Sequence, residues 1–258
     1  MQTEKAFKLS KELAKKAGQA ILNIYNQEFS IHYKEDQSPL TIADLEANYI
    51  ITDALRKAFP NIPILTEEEK DNKARLSSDY VFIIDPLDGT KEFIKKNGEF
   101  TLNIALVHNQ KPIFGVIYLP CKKKLYSALK GKAAFLNEKP IHVSEVREMS
   151  KMTLAKSRSH SSEQIQTIEK HFKDTISAGS SLKGCLLAEG KADAYIRLGP
   201  TNEWDICAMS CIIQEAGGTI TQLDGKEILF NQQETLIKGF VASNKQNHSR
   251  IIELFNHN

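Results

Sequence analysis

The stretch that most constrains this chain is Tyr80-Val81-Phe82-Ile83-Ile84, which runs directly into Asp85-Pro86-Leu87-Asp88-Gly89-Thr90. Five consecutive apolar, β-forming residues predict a buried strand. The strand ends on two carboxylates three positions apart, followed by the free amides of Gly89 and Thr90. Oxygen ligands for a hard divalent cation beside amide donors suit a site that holds Mg²⁺ and a phosphate together. Leu87 can offer only its backbone carbonyl, and Gly89 permits close approach of backbone to an anion. The residues after Gly89 can open a helix whose N-terminus favours phosphate. A proline-nucleated β-turn without any ligand accounts for the hexapeptide equally well.

Around this strand the pattern is mixed. Phe7, Leu9, Leu13, Ala14, Ala17, Ala20, Ile21 and Ile24 predict an amphipathic helix over 4–26. A second helix is expected over 44–59, with Leu45, Tyr49, Ile50, Ala54, Leu55 and Ala58 inward and Pro60 ending it. A short strand over 62–65 leads into Glu67-Glu68-Glu69. Residues 80–84, 101–107, 113–119 and 124–129 then read as strands, with turns at Asn109-Gln110 and Pro120 that suggest antiparallel pairing. From about 151 the style changes to strands over 152–155, 192–197 and 218–222. These alternate with helices over 162–172, 181–189, 204–216 and 244–256. The expected division is an α+β half over 1–148, with an antiparallel sheet, and an α/β half over 149–258. No proline- or glycine-rich linker separates them, so tight packing is expected.

Composition narrows the function classes. With 258 residues, 41% apolar and 26% charged, the chain can bury a sizeable core. A net charge of +2 gives no electrostatic case for nucleic acid. Lys122-Lys123-Lys124 reads as a solvated turn after Leu119-Pro120. No run approaches the ~20 apolar residues of a membrane span, and Met1–Lys5 begins an amphipathic pattern rather than a signal core. Cys121, Cys185, Cys207 and Cys211 show no C-x-x-C pair, which fits reduced thiols. A cytoplasmic setting is expected, with peripheral attachment to the inner face of the membrane left open. Cys207 and Cys211 lie one helical turn apart without further Cys or His, and the seven His are scattered, so a zinc site is not expected.

Three more carboxylate positions accompany the Asp85–Thr90 turn. Glu67 leaves a strand end, where it can be held rigidly or lie in an exposed acidic turn. Asp205, after Trp204, enters a helix whose apolar face is Ala208, Met209, Ile212 and Ala216. There it can serve as a buried-edge carboxylate, ionised by the helix N-terminus, or as a cap. Asp44, in Thr41-Ile42-Ala43-Asp44, can cap the second helix or orient a water. Together these groups suggest a metal-assisted hydrolase. A haloacid-dehalogenase-type phosphatase is excluded because D-x-D-G-T needs a nucleophilic Asp two positions before Asp88, where Pro86 stands, and Asp85 lies one residue too far away. G-x-x-x-x-G-K-[ST] is also absent.

D-P-L-D-G-T with W-D-x-x-A-x-x-x-I-x-x-E-A-G-G, and Glu67-Glu68 upstream, resembles the inositol monophosphatase superfamily over nearly the whole chain. Within it, Asp85–Phe93, Asn97–Leu106, Ser157-Arg158-Ser159-His160, Gly179-Ser180-Ser181-Leu182-Lys183 and Gly199–Asp205 are similar to the 3′(2′),5′-bisphosphate nucleotidases of CysQ type. Inositol phosphatases usually carry Thr-Asn-Phe where this chain has Lys91-Glu92-Phe93. The resemblance implies an α+β/α/β layered sandwich (α-β-α-β-α) like that of inositol monophosphatase and fructose bisphosphatase. It implies a Mg²⁺-dependent, lithium-sensitive phosphatase acting on adenosine 3′,5′-bisphosphate, as a monomer or homodimer, with inositol phosphate or a sugar phosphate as the alternative substrate. A non-catalytic Mg²⁺/nucleotide-binding regulator is the rival from another class.

The same resemblance implies residue roles. Glu67, Asp85 and the Leu87 carbonyl hold one Mg²⁺; Asp85, Asp88 and Asp205 hold the second. Glu68 supports them or helps hold a third, looser ion. Thr90 with Asp44 orients and deprotonates the attacking water. The Gly89 and Thr90 amides bind the scissile phosphate, bordered by Glu67, Leu87, Asp88 and Asp205. Ser157, His160, Gly179 and Lys183 contact the nucleotide or its second phosphate. From the residues alone, His160 reads equally as a loop or cap residue, and Lys183 as a surface lysine snorkelling from an apolar helix.

Overall fold

The computed structural model describes residues 3–33, 39–158 and 163–256. The first half contains α1 (Thr3–Tyr25), β1 (Ile31–Tyr33), β2 (Pro39–Thr41), α2 (Ile42–Ala58), β3 (Ile64–Thr66), β4 (Tyr80–Asp88) and α3 (Thr90–Ile94). These are followed by β5 (Thr101–His108), β6 (Lys111–Leu119), β7 (Lys124–Leu129), β8 (Ala134–Leu136) and β9 (Lys139–Ile141). The second half contains β10 (Thr153–Ser157), α4 (Glu163–Glu169), β11 (Asp174–Ala178), α5 (Leu182–Ala188), β12 (Ala194–Arg197), β13 (Thr201–Asn202) and α6 (Glu203–Glu215). Then come β14 (Thr219–Gln222), β15 (Leu236–Ile237), β16 (Phe240–Ser243) and α7 (His248–Asn256).

A seven-stranded sheet runs β3-β4-β5-β6-β7-β8-β9; only β3 and β4 are parallel. A five-stranded sheet runs β11-β10-β12-β16-β14, with β10 parallel to both neighbours and β16 antiparallel to both of its own. Successive residues of β4 explain the layering, because side chains alternate across a strand. Phe82 and Ile84 join the core under α1 and α2, whereas Val81 and Ile83 join the core around α5 and α6. Ile165 and Ile168 of α4 and Ile251 of α7 cover the far face of the second sheet. The layers are therefore α-β-α-β-α, as expected, and the unbroken apolar run of β4 is required by burial on both sides.

Close approach of backbones sets the middle layer. A Cβ on Gly115 of β6 would lie 2.2 Å from the carbonyl oxygen of Ala208, so α6 can rest directly on the sheet only because Gly stands there. Core residues from both sides of position 148, such as Ile83 and Ile212, merge in one cluster.

Some expectations need correction. In α2, Leu45 and Tyr49 are exposed, and the inward stripe is Ala43, Ala47, Ile51 and Leu55. Small alanines set this face because α1 packs close, so choosing the larger apolar residues shifts the phase. The last helix begins at His248 rather than 244, because Phe240–Ser243 is used as a central strand. Strands β8, β9, β11 and β16 were not expected; the first two are three-residue edge pieces with weak patterning.

Candidate metal and phosphate site

Parallel pairing of β3 and β4 places Thr66 opposite Ile84. The next residues out, Glu67 and Asp85, therefore leave the sheet side by side, with the Glu67 amide donating to the Ile84 carbonyl at 3.3 Å. Alternation along β4 puts Asp85 on the same side as Val81 and Ile83, toward α6. Asp205 stands in the first turn of α6. Its Oδ2 accepts from the Asn202 amide at 2.9 Å and from Thr201 Oγ1 at 2.5 Å, closing a capping box. One carboxylate oxygen from each of Glu67, Asp85 and Asp205 lies within 4.8 Å of the others. Asp205 is thus both the cap and a member of the cluster; the two readings do not compete.

The Asp85 carboxyl is buried and accepts the Leu87 amide at 3.1 Å. Burial first, then the charges of Glu67, Asp88, Asp205 and Glu68, push it well above the usual aspartate range. Burial and Asp88 likewise push Asp205 up, against its bonds from Thr201 and Asn202. Ionised together, these groups need a counter-charge, and an all-oxygen donor set of this kind fits a hard divalent cation.

The β4–α3 turn carries the remaining groups. Register slips between Asp85 and Asp88, and Gly89 sits at φ +93°, the left-handed region that glycine enters freely. α3 has five residues, a single turn, so what its start offers is local N–H groups rather than a summed helix dipole. Thr90 Oγ1 donates to Asp44 Oδ1 at 3.2 Å and lies 3.5 Å from the Leu87 carbonyl. Asp44 Oδ2 is held by the Thr41 amide at 2.8 Å and Thr41 Oγ1 at 2.7 Å, so Asp44 caps α2 with one oxygen and faces Thr90 with the other. Asp88 Oδ2 accepts from Ser181.

Glu68 is half-buried and close enough to act on Asp85 through its charge. Glu69 is engaged elsewhere, with Arg56 and Asn48, while Asn48 also accepts from Thr66. That bracket fixes the turn holding Glu67.

A cleft opens over the cluster. It is lined by Glu67, Asp88, Gly89 and Thr90 together with Ser157, Gly179, Lys183, Tyr195 and Arg197. Lys183 is only 4% exposed, so it does not snorkel to the surface. Its Nζ donates to the Ser180 carbonyl at 2.7 Å and stands 5.2 Å from the centre of the Tyr195 ring. The Gly179 amide donates to Glu99, which also pairs with Arg158. His160 lies outside the described residues. Sequence reasoning did not single out Tyr195, Arg197, Ser181 or Asn103; Ser181 was visible only as part of G-S-S-L-K.

Residues 2–258 match the model of the inositol monophosphatase family. This chain belongs to the inositol monophosphatase family. It is 41% identical over 240 residues to a Shigella flexneri protein named 3′(2′),5′-bisphosphate nucleotidase CysQ, covering 90% of this chain and 97% of that one. Among solved structures, CysQ from Bacteroides thetaiotaomicron is 40% identical, with a TM-score of 0.78 over 90% of this chain and 94% of the other. The Thermotoga maritima IMPase is 28% identical, with a TM-score of 0.87 over 98% and 97% of the two chains. Among the described residues, no helix is long and apolar enough to cross a membrane.

Proposed function

We propose that this chain is a Mg²⁺-dependent phosphatase that hydrolyses adenosine 3′,5′-bisphosphate to AMP and phosphate. The observation that carries this reading is the convergence of Glu67, Asp85 and Asp205 at a cleft that buried Lys183 also lines. The relatives named as nucleotidases support the choice of substrate class. We read the half up to 148 as the source of Glu67, Asp85, Asp88 and the phosphate-binding turn. The half from 149 then supplies Asp205 and the nucleotide wall. The buried thiols of Cys185, Cys207 and Cys211 suit a reducing cytoplasm, and clearance of a by-product of sulfate assimilation is the proposed role.

Glu67, Asp85 and the Leu87 carbonyl would hold one Mg²⁺, and Asp85, Asp88 and Asp205 a second; Glu68 would serve a looser third. When bound, the metal neutralises phosphate oxygens and lowers the pKa of a water. The protein's own groups do the rest. Thr90 Oγ1 donates a hydrogen bond to Asp44 Oδ1, which leaves a lone pair of the Thr90 oxygen free to accept one from the attacking water. As the water loses a proton to Thr90 Oγ1, the Thr90 proton can pass to Asp44 Oδ1, whose partner oxygen stays fixed by Thr41. The Gly89 and Thr90 amides meet charge on the phosphoryl oxygens. Lys183 spends one N–H on Ser180 and has two left for a second phosphate. Ser157 and Gly179 border the same wall.

A second phosphate separates this substrate from inositol phosphate. Phosphate release from adenosine 3′,5′-bisphosphate and from inositol 1-phosphate, each with and without Mg²⁺, tests the reading. Faster turnover of the bisphosphate, dependent on Mg²⁺, is expected. Faster turnover of inositol phosphate, or turnover unaffected by metal removal, contradicts it.

A further inference from the structure

Asp88 is a charged neighbour of the Glu67–Asp85–Asp205 cluster and is held by bonds of its own. Its Oδ2 accepts the Ser181 amide at 2.6 Å and Ser181 Oγ at 2.7 Å, with Thr101 Oγ1 and Asn103 Nδ2 each at 3.4 Å. Among the described residues, no donor reaches its Oδ1. Ser181 Oγ also lies 2.7 Å from the Asp205 carbonyl oxygen and accepts from Asn103 Nδ2 at 3.0 Å. A hydroxyl carries one proton, so Ser181 Oγ donates to one of these two oxygens at a time, while the Ser181 amide holds Asp88 throughout. Ser181 is 3% exposed and Asn103 1%, so these bonds are shielded from water.

A serine at the start of a helix ordinarily caps it. Ser181 immediately precedes α5, yet its side chain makes no capping bond. It turns instead to Asp88 and the Asp205 carbonyl. The preceding Ser180 adopts φ 45°, uncommon for a residue other than glycine, and its Oγ is anchored to the Glu99 carbonyl at 2.7 Å. That turn sends the Ser181 amide and hydroxyl to the same oxygen.

We propose that Ser181 is a positioning residue for the metal cluster, an assignment that rests on the phosphatase reading above. It occupies Oδ2 of Asp88, so that Oδ1 alone is offered to a cation. It also ties Asp88, at the end of β4, to the α6 turn that bears Asp205. Two elements distant in sequence are thereby held at a fixed separation, and Asp88 cannot rotate to offer its other oxygen.

The test is Mn²⁺ titration of the full-length, substrate-free protein by electron paramagnetic resonance, comparing wild type with Ser181→Ala, Ser181→Thr and Asp88→Asn. Loss of an outer hydrogen-bond partner typically weakens metal affinity about 10- to 100-fold. Ser181→Ala should therefore bind Mn²⁺ at least about tenfold more weakly, about 1.4 kcal/mol, with its circular dichroism unchanged. Ser181→Thr, which keeps the oxygen, should recover most of that affinity. The KM for adenosine 3′,5′-bisphosphate at saturating metal should change less than the metal requirement. Wild-type affinity in Ser181→Ala overturns the assignment. So does equal weakening in the alanine and threonine variants when both remain folded. Wild type that binds Mn²⁺ with these differences but does not release phosphate refutes the substrate reading alone. Wild type that binds no Mn²⁺ overturns both.

Discussion

Thr90 Oγ1 donates to Asp44 Oδ1 at 3.2 Å, so a carboxylate in the first turn of α2 aims a hydroxyl at the start of α3. The sequence separation is 46 residues. Removing the hydroxyl with Thr90→Val should lower kcat about 10²- to 10⁴-fold, the usual range for loss of acid–base assistance. Thr90→Ser should stay within about tenfold of wild type. Asp44→Asn should lower kcat similarly and also cost about 1 kcal/mol of stability, because Asp44 closes the α2 capping box. Steady-state rates and thermal melts of the three variants check this; full activity in Thr90→Val would remove Thr90 from the reaction.

Asp205→Asn should raise the Mg²⁺ concentration for half-maximal activity by more than about tenfold, since one carboxylate of the cluster is lost. Thr201→Val disturbs the same cap through the 2.5 Å bond to Asp205 while keeping the carboxylate. It should destabilise by about 1 kcal/mol and shift the Mg²⁺ requirement less. Equal shifts in the two variants would mean that Asp205 acts only as a cap.

In metal-free protein, the Asp85 carboxyl lies well above its ordinary value of 3.8, through burial and then neighbouring negative charge. The folded state therefore keeps this proton after the unfolded chain has lost it. Stability conferred at low pH is lost as pH rises from about 3.8 through the raised value. With chelator present, Asp85→Asn should gain Tm relative to wild type as pH rises across that window. Mg²⁺ should stabilise wild type more at higher pH, because it competes with protons for the cluster. A Tm difference between the two proteins that is constant with pH would contradict this.

Gly115→Ala places a methyl group 2.2 Å from the Ala208 carbonyl oxygen if nothing moves. The helix must shift off the sheet, at about 1–3 kcal/mol, and carry Asp205 with it. A lower Tm together with a higher Mg²⁺ requirement is expected. A Tm unchanged by the methyl would show that α6 does not rest on β6 as described.

Excess Ca²⁺ should inhibit turnover in the presence of Mg²⁺, because it takes longer bonds and looser geometry than Mg²⁺. Phosphate release at fixed Mg²⁺ and rising Ca²⁺ checks this. Insensitivity would argue against a tight oxygen cage.

The strand Tyr80–Asp88 was legible because burial on both faces leaves an unbroken apolar run, and its terminal carboxylates could be read from local order alone. Glu67, Asp85 and Asp205 were each legible as candidate ligands from their local contexts, the full layer order and the ligand sets came from the family resemblance, and the structure brings those three residues together. Phase in α2 was not legible. Ala43 and Ala47 mark its inward face, and close helix packing favours small residues over Leu45 and Tyr49. Nor was the support around Asp88, whose partner Ser181 is 93 residues away. No local pattern encodes a serine that declines to cap its own helix and reaches a carboxylate on another element. Short pieces such as β13 and β15 form only because they pair with one another beside the α6 cap.

The most direct measurement is anomalous diffraction from crystals soaked in Mn²⁺. Peaks within about 2.0–2.3 Å of carboxylate oxygens from Glu67, Asp85 and Asp205 are predicted, the range expected of Mg²⁺-like coordination. Peaks only elsewhere, or the Asp205 carboxylate turned away from a cation held by Glu67 and Asp85, would contradict the claim that these three side chains enclose the metal together.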